Sequence, residues 1–176
     1  MKICYFDLET QRLFIEVGGR YPEKLGLSVA GVITNDNPIE FFTEKEVEDL
    51  LKLLKSADLV VGHNILGFDY LVLNPYAGFD VPSMLEANTL DTMLEIEKVV
   101  QRFLKLDDLA KNTFGDGKTG NPLDMPRLWK EGKHDEVKDY CRNDIEILKK
   151  LYLHGKTQGW VKCDVNREIK QIPVKW

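Results

Sequence analysis

The order in which apolar periodicities follow one another constrains the fold of this chain more than any other feature. Three strand-length segments come first: residues 2–8, residues 25–34 ("LGLSVAGVIT", with small residues suited to close packing) and Glu40–Phe42. The period then changes. Thr43 stands before Glu44 and Glu46, acids suited to a first helical turn, and Val47, Leu50, Leu51 and Leu54 recur at helical spacing. From there strands alternate with helices. Residues 58–62 read as a buried strand. Residues 64–73 mix turn and helix signals and stop at Asn74-Pro75, and Thr89–Asp91 reads as a short strand. Residues 93–103 and 107–114 read as helices, and residues 115–122 as a loop. The longest periodic run, residues 135–154, sets Val137, Cys141, Ile145, Leu148 and Tyr152 on one face and meets a stop signal at Gly155. The tail reads as a hairpin turning at Asn166-Arg167. Early strands followed by strand–helix alternation predict an α/β chain, a mixed central β-sheet flanked by helices. At 176 residues without an internal boundary, the expectation is a single domain over 1–176.

Composition removes several function classes. The apolar runs are too short to span a bilayer, so no membrane partner is expected. The opening "MKICYFDLET" does not read as a secretory signal, because acids follow within one short strand. Cys4, Cys141 and Cys163 are odd in number and widely spaced, which predicts a reduced, cytoplasmic protein with neither a zinc site nor a disulfide framework. The net charge of −5 argues against a passive nucleic-acid binder, which is normally basic. It leaves open an enzyme whose acids hold cations that in turn meet phosphates.

Three stretches carry the chemistry. In "FDLET", Asp7 and Glu9 sit at positions i and i+2 of a strand and so face the same side. Two like charges that close are costly unless a cation lies between them. The plainer reading is a strand end dissolving into a solvated loop. In "GHNILGFDYL", a helix starting near Gly67 puts Asp69 in its first turn, within an otherwise apolar segment. In "YCRND", Tyr140 and Asp144 are four apart on the strong helix and so neighbours on its surface, which for an isolated pair reads as a boundary tyrosine and a solvated acid.

In that order, the three stretches resemble the DEDDy branch of the 3′→5′ exonucleases, on the ribonuclease H-like fold. The branch is set by the residue preceding the last Asp: Tyr140 stands four before Asp144, whereas the histidine branch would need a histidine where Asp139 stands. "TLDTM", "LDDLAKNTFGDGKTG" and the closing "IPVKW" are similar to a bacterial and archaeal subgroup associated with helicases. The resemblance spans nearly the whole chain.

The resemblance implies that Asp7, Glu9, Asp69 and Asp144 hold two divalent ions, Mg²⁺ or Mn²⁺, with Asp7 bridging them. Tyr140 would orient the attacking water. The implied reaction is metal-dependent 3′→5′ hydrolysis of single-stranded DNA or RNA, releasing nucleoside 5′-monophosphates, with a helicase or another nucleic-acid-processing protein as a partner. Leu8, Thr10, Asn64 and Phe68 are candidate contacts for the terminal nucleotide, and Lys118 and Arg142 for phosphate, each with a core or solvent role as the alternative. The competing function is a catalytically weak ribonuclease H-like module that binds or scaffolds; degeneracy usually removes an acid, and all four are present. "GDGKTG" is not a P-loop, because Asn112 stands where that motif needs a glycine and a helix precedes it. His63 reads as a hydrogen-bonded structural residue. Trp129, Trp160 and Trp176 read as packing.

Overall fold

The first strand of the chain becomes the middle of its sheet. A computed structural model describes residues 1–115, 117, 120–165 and 167–176. In it, β1 (Ile3–Thr10) lies between an antiparallel neighbour, β2 (Leu27–Thr34), and a parallel one, β4 (Leu59–Gly62). Beyond them, β3 (Glu40–Phe42) and β5 (Thr89–Asp91) complete a five-stranded mixed sheet ordered β3-β2-β1-β4-β5.

Alternation along β1 divides its side chains between two cores. Cys4, Phe6 and Leu8 face a core built with α1 (Val47–Lys55) and α2 (Tyr70–Ala77), which contribute Leu50, Leu54, Tyr70 and Leu73. Tyr5 faces the other, where it meets Leu109 of α5 (Leu106–Phe114) and Ile145 and Leu148 of α7 (His134–Gln158). Asp7 and Glu9 share Tyr5's side of the strand, which turns them toward α7. The remaining helices are α3 (Val81–Leu85), α4 (Thr92–Val100) and α6 (Met125–Lys130), and a separate hairpin of β6 (Trp160–Val165) and β7 (Glu168–Pro173) packs on α5 and α7. The expected mixed sheet flanked by helices is therefore the observed architecture. Among the described residues, no helix is long and apolar enough to cross a membrane.

Local punctuation was overridden in several places. Pro75 does not stop its helix: it lies inside α2, which runs on to Ala77, because Tyr70, Val72 and Leu73 are buried and outweigh the one lost backbone bond. Gly155 is likewise internal to α7, which ends at Gly159 in the left-handed region (φ 75°). A Cβ on Gly155 would lie 2.5 Å from the Trp176 indole nitrogen, so this glycine makes room for the tail rather than capping the helix. Residues 65–69 form a π-helical turn ahead of α2, and α4 stops at Val100, before Gln101 in the left-handed region (φ 57°). Two short helices, α3 and α6, were not foreseen. Each carries a proline in its first turn, where the missing N–H costs nothing. The Asn166 half of the expected hairpin turn, and the loop residues Asp116, Lys118 and Thr119, lie outside the described residues.

Candidate metal centre

The site is built where α7 closes onto β1, and Gly31 on β2 permits the closure. Gly31 stands directly opposite Asp7 in the strand register. A Cβ there would lie 2.6 Å from Ile145 Cδ1 and 3.1 Å from Cys141 Sγ. With hydrogen in its place, α7 presses Cys141 and Ile145 onto the sheet, and the Cys141 thiol donates to the Asp7 carbonyl at 3.6 Å. Tyr140 and Asp144 each precede one of these contact residues by one position, so they meet the same edge of the helix as each other and turn toward the end of β1. As a result, one carboxylate oxygen from each of Asp7, Glu9 and Asp144 lies within 4.8 Å of the others. Glu9 and Asp144 are buried, the latter only 3% exposed.

Asp69 arrives from the other layer. Asn64 adopts a left-handed conformation (φ 66°) directly after β4 and opens the π-helical turn. The Asp91 carboxylate fixes that turn, accepting from the N–H of Asn64 at 2.8 Å and of Leu66 at 3.2 Å. It also caps α4 through the Met93 N–H at 3.0 Å. The turn carries Asp69 to a position 3% exposed, where its Oδ1 has no hydrogen-bond partner among the described residues. Burial first, and the charge of Asp7 second, push the Asp69 carboxyl well above the usual carboxylate range. Burial likewise pushes the Tyr140 phenol up, helped by Asp144, Glu9 and Asp7, so it stays protonated. The Cys141 thiol is raised by burial and by the same acids, which leaves it inert as a nucleophile.

Two cavities open onto these carboxylates and share Asp7 and His63. One, of about 290 Å³, is lined by Leu8, Glu9, Thr10, Phe68, Asp69 and Asp144 among others. The second, of about 530 Å³, is lined by Asn64, Met93, Phe103, Leu106, Asp107 and Tyr140. Leu8, Thr10, Asn64 and Phe68 thus stand at the site, although Leu8 is buried and its side chain belongs mainly to the α1/α2 core. Thr10 Oγ1 donates to the Arg12 carbonyl at 3.0 Å. Phe68 packs edge-on against Phe14, ring centroids 6.0 Å apart. Arg142 is not brought to the site: two helix positions from Asp144 it points away, pairs with Asp139 and lies over the Phe41 ring. Lys118 falls outside the described residues. His63 is tied down as expected, with Nε2 donating to the Leu104 carbonyl at 2.8 Å and Nδ1 lying 2.9 Å from Thr92 Oγ1.

Sequence reasoning passed over Asp91 and Asp107. Asp91 had a readable signal, an acid immediately before a helical period. Asp107 lines the larger cavity, adds to the field on Tyr140 and receives Lys111 at 2.6 Å, but in sequence it is one more acid in a first helical turn.

The donor set fits a hard divalent cation. All its atoms are carboxylate oxygens, the hard ligands that divalent cations such as Mg²⁺, Mn²⁺ and Ca²⁺ take. Their mutual separation of up to 4.8 Å is within about twice a hard cation–oxygen distance of roughly 2.0–2.6 Å. The buried Asp69 Oδ1, with no hydrogen-bond partner among the described residues, fits a cation there as well.

No family model matches the chain, and no curated protein matches its sequence. A solved structure does: the family B DNA polymerase from the hyperthermophilic archaeon Pyrobaculum calidifontis, with a TM-score of 0.64 at 17% identity. The match covers 90% of this chain and 25% of the polymerase, so the chain spans about a quarter of that protein's length. At this identity the likeness establishes the fold, an α/β architecture of ribonuclease H-like type.

Proposed function

We propose that the chain is a metal-dependent nuclease of the DEDDy type, a single domain of a cytoplasmic protein that removes nucleotides from the 3′ end of single-stranded DNA or RNA. The observation that carries this reading is the convergence of Asp7, Glu9 and Asp144 within 4.8 Å, beside a buried Asp69 and a buried Tyr140. The likeness to part of a DNA polymerase agrees with a role in nucleic-acid processing.

Asp7, Glu9 and Asp144, with Asp69 beside them, would hold Mg²⁺ or Mn²⁺, two ions per site. When bound, those ions supply the charge neutralisation and water activation that phosphodiester hydrolysis needs. Tyr140 positions the water; a phenol with an ordinary value near 10 is a poor base at neutral pH. His63 fixes the wall of the cleft through its two hydrogen bonds. A helicase or another nucleic-acid-processing protein is the partner that brings substrate to so acidic a surface.

The test is cleavage of 5′-labelled single-stranded DNA and RNA oligonucleotides with Mg²⁺, with Mn²⁺ and with EDTA, with Asp7→Ala alongside. The expected result is a metal-dependent ladder shortening from the 3′ end, absent in the variant. Metal binding without cleavage of either polymer would overturn the nuclease and leave a binding module.

A further inference from the structure

The segment joining α4 to α5, residues 101–105, reads "QRFLK" and is unlike the rest of this acidic surface. Gln101 takes the left-handed conformation (φ 57°) that ends α4, and the chain beyond it presents Arg102, Phe103 and Lys105 to solvent. Phe103 is a large aromatic that is 64% exposed. Leu104 turns back, and its carbonyl accepts from His63 Nε2 at 2.8 Å. That bond pins the segment to the end of β4, beside the carboxylates.

The pinned segment stands between two cavities and lines both. On one side Phe103 and Lys105 wall the 530 Å³ cavity that contains Asp7 and Tyr140. On the other, Arg102 and Phe103 wall a groove of about 590 Å³ shared with Lys111, Asn112, Asp108 and Asp164. Asp164 is occupied there, accepting from the Arg167 N–H at 2.8 Å. An exposed aromatic flanked by two cations, at the rim of a cleft that ends in a metal centre, matches what a single strand of nucleic acid presents: flat bases between phosphates.

Building on the nuclease reading, we propose that Arg102, Phe103 and Lys105 form a binding ridge for the single strand whose 3′ end lies at the carboxylates. A base stacks on Phe103 while Arg102 and Lys105 meet the phosphates on either side. The strand thereby passes from the larger cavity into the groove beyond, and the segment supplies the positive charge that the net charge of −5 otherwise withholds. His63 acts as a positioning residue, holding the ridge at a fixed distance from the metal ligands.

The experiment is fluorescence anisotropy with a 5′-fluorescein oligothymidylate of about ten nucleotides, within single-domain site sizes. It is run with Mg²⁺ in an Asp7→Asn background, where cleavage is disabled. Phe103→Ala should weaken binding about tenfold, and Phe103→Trp should preserve it. The Arg102→Ala/Lys105→Ala pair should lower the slope of log affinity against log salt by about 0.7 per lost phosphate, about 1.4 in all. Lys55→Ala, on α1 in the other layer, should bind as the parent does. Parent binding with undiminished affinity and slope in the ridge variants overturns the ridge, and leaves the nuclease to stand if the wild type still cuts. A wild type that neither binds nor cuts overturns both.

Discussion

Gly31→Ala tests whether the approach of α7 to the sheet assembles the site. The added methyl would lie 2.6 Å from Ile145 Cδ1 and 3.1 Å from both Cys141 Sγ and Ile39 Cδ1. Ile145 and Cys141 are fully buried, so neither has solvent to move into. Overpacking of this kind costs about 1–3 kcal/mol. A glycine-to-alanine change stiffens the unfolded chain and returns about 0.4–1 kcal/mol. Taking the middle of each range, the balance is a destabilisation of about 1.3 kcal/mol, which in a chain of this size lowers the melting temperature by about 3–5 °C. The displaced atom is specific, and this gives the argument its sharper form. Ile145→Val removes Cδ1 and by itself costs about 0.5–1.5 kcal/mol. In the Gly31→Ala background it should cost much less or nothing, because the methyl fills the space vacated. Denaturant or thermal unfolding of the four proteins reads the coupling directly. Gly31→Ala should also shrink the melting-temperature rise produced by Mg²⁺, since Asp144 rides on the same helix. Additive losses, or a Gly31→Ala protein as stable as the parent with its metal response intact, would refute the account.

Three further outcomes follow from the carboxylates. Mn²⁺ or Mg²⁺ at about a hundred times its dissociation constant should stabilise the fold by about 2.7 kcal/mol, and Asp144→Asn should abolish most of that rise in differential scanning fluorimetry. Without metal, the raised carboxyl of Asp69 sets the sign of a pH effect: its stabilising contribution is whole below the ordinary value of 3.8 and is lost as pH climbs through the folded-state value. In EDTA the melting temperature should therefore sag as pH rises from acid toward neutral, and Asp69→Asn should flatten that trend; a parallel curve in the variant would contradict it. Tyr140→Phe should keep the fold and reduce cleavage by about a hundredfold. It should do so by a constant factor across the neutral pH range, because a phenol that only orients the water adds no titration of its own to the rate; a change in the shape of the rate–pH profile would mean that Tyr140 takes a proton after all.

Much of the centre was legible because its parts obey simple periods. Asp7 and Glu9 follow the two-residue period of a strand, and Tyr140 and Asp144 the helical spacing of four, so each pair could be assigned to one face without knowing the fold. What no period encodes is that the two faces meet. That depends on Gly31, which in sequence is one small residue in a strand and in space is the gap through which Ile145 reaches the sheet. Asp69 was placed in a first helical turn, whereas it ends a π-helical turn, a geometry imposed by Asp91 from another strand. The stop signals at Pro75 and Gly155 misled for the same reason: a local preference of a few kcal/mol yields to a buried helix face. Arg142, beside Tyr140 and Asp144 in sequence, points away because two positions on a helix turn through more than half a circle.

The distance in sequence between the two halves of the centre also dictates when it can exist. Asp7 and Glu9 are synthesised with the first strand of the central sheet, and Asp144 only after every strand of that sheet has been made. Until α7 emerges and docks over Gly31, the early acids are two carboxylates without the third that Asp144 supplies. The cluster is thus timed by synthesis, coming into being only as α7 closes over Gly31.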